Sequence, residues 1–190
     1  MYGITGLMGS GKSTVVDYLV KEYGFDEYAF AQPIKQIAMI MGFKHIDVYG
    51  TQEDKESVNP NMGISGREFL QKFGTEGMRE MMPQILPDLD LGDFGSPWIK
   101  ICDNYLKNRN CMNPIIISDM RFADEAAYLR DRRACLIKII RPSNKETNHR
   151  SETEINSIKA DITIINDGNL DNLYNQIDEL FSHVFDKKGI

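Results

Sequence analysis

Gly6, Gly9, Gly11, Lys12 and Ser13 fall on the spacing G-x-x-x-x-G-K-[ST], and each residue type in that string answers a requirement of phosphate binding. Glycines reach backbone angles closed to other residues, so the N–H groups around Leu7, Met8, Gly9 and Ser10 can turn inward on an anion. A helix opening here, with Thr14 in its first turn, adds partial positive charge from its N-terminus. Lys12 can reach the β- and γ-phosphates of a nucleoside triphosphate, and the Ser13 hydroxyl can ligate Mg²⁺. The string identifies a bound triphosphate. Where the terminal phosphate goes must come from other residues.

Asp119 follows an apolar strand, the place from which an acidic residue holds the Mg²⁺ shell directly or through water. Its other reading is an N-cap for a helix starting near Phe122. Arg121 follows two residues later, and its forked guanidinium matches phosphate oxygens and stays charged when partly dehydrated. Arg67, Gln71, Thr75 and Arg79 share a polar helix face, from which either arginine could hold an acceptor phosphate; a solvated face is the alternative. Trp98, the sole tryptophan, either stacks on a base or anchors the core. The polar stretch beginning at Arg141 and Pro142 carries His149, Arg150, Ser151 and Glu152. It reads as a lid at about 141–158 that excludes water and brings in positive charge, or else as a surface excursion.

The elements that must position these groups alternate along the chain. Tyr2–Thr5 reads as a short buried strand before the loop, and residues 14–23 as a helix with Val15, Leu19 and Val20 inward. Residues 28–30 resemble a second strand. Pro33 opens a helix with Ile34, Ile37, Ala38 and Met41 at helical spacing, which Gly42 stops. Residues 44–62 read as a surface loop. Ser65, with Glu68 three positions on, caps a helix turning Phe69, Leu70, Phe73 and Met78 inward. Residues 83–97 are irregular and residues 98–106 helical. Ile115–Ile117, Cys135–Ile140 and Ile162–Ile165 are apolar strands; residues 122–132 and 169–185 are helices. This is an α/β pattern: a five-stranded parallel sheet with helices on both faces, with the polar arm as a short lid. Right-handed crossovers then gather the loop, Asp119, Arg141 and Asn166 at the carboxyl edge of the strands.

At 190 residues the chain suits one domain over 1–190, with a substrate-binding helical insert at about 31–107. A formal net charge of −6 argues against polymeric nucleic acid as a partner. No apolar run is long enough to span a bilayer, and no signal peptide precedes the first strand, so a cytoplasmic enzyme away from membranes is expected. Three widely spaced cysteines, Cys102, Cys111 and Cys135, suit reduced thiols rather than a metal site. The apolar run at residues 37–41 exceeds the need of one core and leaves a homodimer open.

Behind the phosphate loop, four runs resemble the deoxynucleoside monophosphate kinases of bacteriophages. They are Phe30-Ala31-Gln32-Pro33-Ile34-Lys35, Arg67-Glu68-Phe69-Leu70-Gln71-Lys72-Phe73-Gly74-Thr75-Glu76, Ser118-Asp119-Met120-Arg121-Phe122 and His149-Arg150-Ser151-Glu152. The resemblance runs in order along nearly the whole chain. It implies transfer of the γ-phosphate of ATP to a deoxynucleoside 5′-monophosphate with Mg²⁺, the partners being small-molecule nucleotides, in a host cytoplasm if the chain is phage-encoded. It implies Lys35, Arg67, Gln71 and Arg121 around the acceptor; Thr75, Arg79, Trp98, Asp119 and Glu152 complete that set. Arg141 and Arg150 would approach the donor or the transferring phosphoryl group, and Asn166, Asp167 and Gly168 the donor adenine. Lys12, Asp119, Arg121 and Arg150 form the catalytic set. The alternatives are dephospho-CoA kinase or another small-molecule phosphate-loop kinase, and a regulatory module that binds nucleotide without transfer.

Overall fold

Strand β1 (Tyr2–Thr5) pairs on one side with β3 (Ile115–Ile117) and on the other with β4 (Cys135–Ile140). Outside these lie β2 (Asp26–Tyr28) and β5 (Ile162–Ile165), giving the order β2-β3-β1-β4-β5 with every pairing parallel. This computed structural model describes residues 1–142, 150–182 and 185, the side chains of 150–153 excepted. Two compact units make up the chain, one of Met1–Ala29 with Asn110–Ile190 and one of Phe30–Arg109.

In the first unit the three central strands, β1, β3 and β4, are mostly apolar on both faces, as parallel strands covered twice must be. On one face Ile4, Ile137, Ile139 and Ile164 bury themselves against Val15 and Leu19 of α1 (Lys12–Tyr23) and Leu173, Ile177 and Phe181 of α10 (Leu170–Phe181). The hydroxyls of Tyr18 and Tyr23 both donate to Asp178, at 3.0 and 2.7 Å, tying α1 to α10. On the other face lies α8 (Ala123–Asp131). A Cβ on Gly3 would stand 2.7 Å from Leu129 Cδ1, so the missing side chain is what lets α8 lie this close to β1. The chain therefore leaves β1 toward one face and β3 toward the other. In open parallel sheets the crevice formed by such a divergence, at the carboxyl ends of the strands, is where ligands bind.

The expected polar arm departs from its sequence reading. Residue 149 lies outside the described residues, and from Arg150 the backbone is helical as α9 (Arg150–Ser157). Ile155 is 1% exposed and Ile158 6% exposed, and α9 packs on α8. Each such burial is worth about 1.5–3 kcal/mol, enough to hold an eight-residue helix that would not persist alone. Glu154 Oε2 accepts the Ala123 N–H at 3.3 Å, and Lys138 Nζ donates to the Ile155 carbonyl at 3.1 Å. Two isoleucines three apart thus anchor a segment whose composition reads as solvent-facing. At the far end of β4, Asp161 accepts the Leu136 N–H at 2.8 Å and pairs with Arg130; the N–H bond foremost holds its carboxyl below the ordinary range.

The second unit is helical among its described elements: α2 (Gln32–Met41), α3 (His45–Tyr49), α4 (Gln52–Glu56), α5 (Gly66–Gln71), a π-helix (Lys72–Met81), α6 (Met82–Ile85) and α7 (Pro97–Asn108). Residues 44–62 are therefore not simply a loop. Short polar ties hold α3 and α4: Asp47 accepts the Lys44 N–H at 2.7 Å, and Thr51 and Asp54 bond reciprocally as a capping box. Ser65 caps α5 as expected, its hydroxyl accepting the Glu68 N–H at 3.1 Å. After Gln71 the bonding lengthens to the π pattern, which places more residues in each turn. That change overturns the α-helical register: Gly74 and Thr75 are buried, while Phe73, expected inward, is 37% exposed and stacks on Phe69. Met41 likewise turns outward with Met39 and Ile40.

Helix α5 begins under a tight constraint. A Cβ on Gly66 would stand 1.9 Å from the backbone oxygen of Asp47, so only glycine lets α5 start against α3. Gly66→Ala is expected to lower stability by about 1–3 kcal/mol through overpacking. Urea unfolding measures this, and an unchanged midpoint would show that α5 can retreat from α3 freely.

Candidate functional site

The phosphate loop leaves the carboxyl end of β1 and runs into α1 through two backbone positions that exclude side chains. Gly6 has φ 152° and Gly11 has φ 102°, both in the range that favours glycine. A Cβ would stand 2.4 Å from the Ile139 carbonyl oxygen at Gly6 and 2.4 Å from Asn166 Nδ2 at Gly11. The loop closes on itself through Ser10 N–H to the Leu7 carbonyl at 3.1 Å. Lys12 Nζ donates to the carbonyls of Gly6 and Leu7 at 2.6 and 2.9 Å, which brings the ammonium back over the start of the loop. Leu7, Met8 and Thr14 are partly exposed, and Gly9 and Ser13 are exposed. Thr5 and Ser10 carry buried hydroxyls with no hydrogen-bond partner among the described residues, so the loop is flanked by polar atoms with unused capacity.

Asp119 and Arg121 follow β3 on the same sheet edge, both partly exposed. The Met120 N–H donates to the Ile4 carbonyl at 3.0 Å, which fixes this turn beside the end of β1. The N-cap of α8 is Phe122 and not Asp119, one expected reading of that aspartate, and the turn before the helix is closed by Glu125. Its carboxylate, on a residue 2% exposed, accepts the Arg121 and Phe122 N–H groups at 2.8 and 3.2 Å. The signal in the sequence was a glutamate at the third helical position, without the serine or threonine that usually announces such a cap. Lys138, midway in the apolar run of β4 and paired in register with Thr5, is a second cation that the motif reading passed over.

Arg141 follows β4 and is exposed. Arg150 and Glu152 lie in α9, with side chains outside the described residues. Asn166 follows β5 and is buried, its Nδ2 donating to the Ser10 carbonyl at 2.8 Å; Asp167 and Gly168 are exposed. The structure thus assembles the loop, Asp119, Arg121, Arg141 and residues 166–168 along one edge of the first unit.

The remaining expected residues belong to the second unit. Arg67 is held by α4: its guanidinium bonds to Gln52 and pairs with Glu56 at 3.3 Å. Lys35 Nζ stands 4.6 Å over the Tyr49 ring. Gln71 and Arg79 are partly exposed and Thr75 is buried. Trp98 is 5% exposed and donates its indole N–H to the Gly74 carbonyl at 2.8 Å. That geometry corrects the base-stacking expectation: Trp98 is a core anchor at the start of α7. Among the described residues no group of three or more His, Cys, Asp or Glu side chains forms a metal cluster.

Removing the Glu125 carboxylate leaves two N–H groups of the Arg121 turn without an acceptor. Glu125→Ala is expected to lower stability by about 0.5–2 kcal/mol, the usual range for a lost cap. Hydrogen exchange at the Arg121 and Phe122 amides should accelerate, and unchanged protection there would remove Glu125 from this role.

Comparison with known proteins accords with this arrangement. A family model described as deoxynucleotide monophosphate kinase matches residues 41–177. A protein of Acanthamoeba polyphaga mimivirus, provisionally named a deoxynucleotide monophosphate kinase, is 35% identical over 184 residues, covering 93% of each chain. The crystal structure of an unliganded sugar kinase from a Janibacter species is 13% identical and covers 96% of this chain and 94% of its own. Its TM-score of 0.42 is too low to add to what the strands here already show. On the family match and the viral relative, the chain belongs to the deoxynucleotide monophosphate kinase family.

Proposed function

We propose that this chain transfers the γ-phosphate of ATP to a deoxynucleoside 5′-monophosphate, releasing the diphosphate and ADP. The observation that carries the reading is the phosphate loop at the end of the central strand, with Lys12 over its start, in a chain of this family. An acceptor phosphate is largely ionised at neutral pH, so its oxygen attacks without a residue having to remove a proton. The bond between the γ-phosphorus and the β–γ bridging oxygen breaks as the new bond forms. Positioning, charge neutralisation and exclusion of water are what the protein contributes.

Lys12 and the loop N–H groups would hold the β- and γ-phosphates, with Arg121, Arg141 and Arg150 adding charge around the transferring group. Ser13 and Asp119 offer hard oxygen ligands on one sheet edge, the kind and number that Mg²⁺ takes from a protein beside substrate phosphates and water. When held by Ser13 and Asp119, the ion would supply positive charge against the donor phosphates. Arg67, Lys35, Gln71, Thr75 and Arg79 are the acceptor candidates. An incoming phosphate would compete with Glu56 for Arg67. Asp167 and Gly168, exposed after β5, suit the donor base. The three cysteines are free thiols, which suits the reducing cytoplasm proposed here. No helix among the described residues is long and apolar enough to cross a membrane.

ADP formation should be measured with ATP, Mg²⁺ and each of dAMP, dGMP, dCMP, dTMP and dephospho-CoA. At least one deoxynucleotide should be phosphorylated and dephospho-CoA should not. Activity on dephospho-CoA alone, or on no deoxynucleotide, would overturn the proposal. Lys12→Ala should lower kcat by about 10²-fold or more while unfolding cooperatively.

A further inference from the structure

Asn166 does something the nucleotide-contact reading does not account for. Its backbone N–H donates to the Ile140 carbonyl at 2.8 Å, which fixes the residue at the end of β5 against β4. Its side chain turns toward the phosphate loop and donates Nδ2–H to the Ser10 carbonyl at 2.8 Å, in a contact that spans 156 positions and is buried. The amide also fills the space beside Gly11: a Cβ there would stand 2.4 Å from Nδ2 and 4.0 Å from Leu173 Cδ2. Gly11 is therefore confined by its neighbour as well as by its φ of 102°.

A trans peptide is planar, with its C=O and N–H pointing to opposite sides. Whatever holds the Ser10 carbonyl thereby aims the Gly11 N–H the other way. We infer that Asn166 is a positioning residue for the phosphate loop, its amide holding the Ser10–Gly11 peptide so that the Gly11 N–H is presented to the bound triphosphate. A donor fixed before the ligand arrives needs no reorganisation at binding, and N–H groups held in this way make an anion nest effective. The inference rests on the kinase reading only in that the loop binds a triphosphate. It gives position 166 a role in the phosphate site rather than at the adenine.

The test uses the full chain carrying ¹⁵N-glycine, with Asn166→Asp and Asn166→Ala as variants. Asn166→Asp keeps the volume but replaces the donor with an acceptor facing the Ser10 carbonyl. Asn166→Ala serves if the aspartate variant unfolds on heating below the assay temperature. At saturating ATP the Gly11 amide signal should shift strongly in the parent, and that shift should fall by more than about half in the variants. The Kd for ATP should rise by about tenfold, the scale of one lost hydrogen bond. The Kd for a deoxynucleoside monophosphate that the parent binds should stay the same. A rise in Kd with the saturated Gly11 shift intact would make Asn166 an adenine contact and overturn the inference. So would an unmoved Gly11 signal in the parent, or equal weakening of ATP and the monophosphate. A parent chain that binds no ATP would instead overturn the proposed kinase function.

Discussion

Everything at the carboxyl edge of the central strands hangs from the two-sided pairing of β1. The strand is four residues long, yet it pairs with β4 along its whole length and with β3 at Tyr2 and Gly3, and the loop springs from its carboxyl end. With β1 held on both sides, the Ile4 carbonyl is available to fix the Asp119–Arg121 turn through Met120, and Ile139 crowds Gly6 from β4. Packing reinforces this from above and below. Ile4 points into the α1 and α10 layer, while the bare Gly3 admits Leu129 from α8. A long strand is unnecessary when both neighbours and both faces are occupied.

The second unit adds polar ties to its apolar core of Ile34, Ala38, Phe43, Val48, Phe69 and Ile99. These run from Asp47 to Lys44, Thr51 to Asp54, Ser65 to Glu68 and Trp98 to Gly74. Asn59 extends the first of these, donating to Asp47 at 2.6 Å while accepting the Asn61 N–H at 2.9 Å. Buried polar groups that are fully paired specify a single arrangement, because any slip leaves one of them unsatisfied. The arginine expected at an acceptor phosphate, Arg67, is oriented by α4 in the same way.

Legibility in the sequence followed from how each feature is encoded. The glycine-rich loop needs particular glycines and a lysine, so its string is nearly its structure, and the β-branched runs at Ile115–Ile117 and Ile162–Ile165 announce strands, the first buried throughout and the second buried only at Ile164. The capping serine at 65 was equally plain. What escaped was held by interactions that composition does not display. Helix α9 rests on Ile155 and Ile158 within a polar stretch, and α3 and α4 are capped by single carboxylates, with Val48 the one apolar side chain of α3 that is buried. The π-helix moved Phe73 outward and Gly74 inward, because a 3.6-residue period was assumed where the bonding is wider. At the site, Asp119 and Arg121 were readable from their place after a strand. Glu125 and the Ser10 contact of Asn166 were not, since both act on backbone groups that no motif names.

The strand order also has a temporal meaning. β1 is synthesised well before its partners, which begin only at Ile115 and Cys135, and the Asn166 contact to Ser10 comes later still. A chain emerging from the ribosome therefore carries this loop with no neighbouring strand on either side until those residues follow. Helix α1 can form early from local bonds, but the Ser10 carbonyl before it gains its Asn166 donor only when the end of the fifth strand docks. On the proposed reading of the loop, nascent and truncated chains lacking β5 would hold nucleotide less tightly. Occupancy of the loop would then mark a finished sheet, and the ligand's stabilising effect would fall on completed molecules alone.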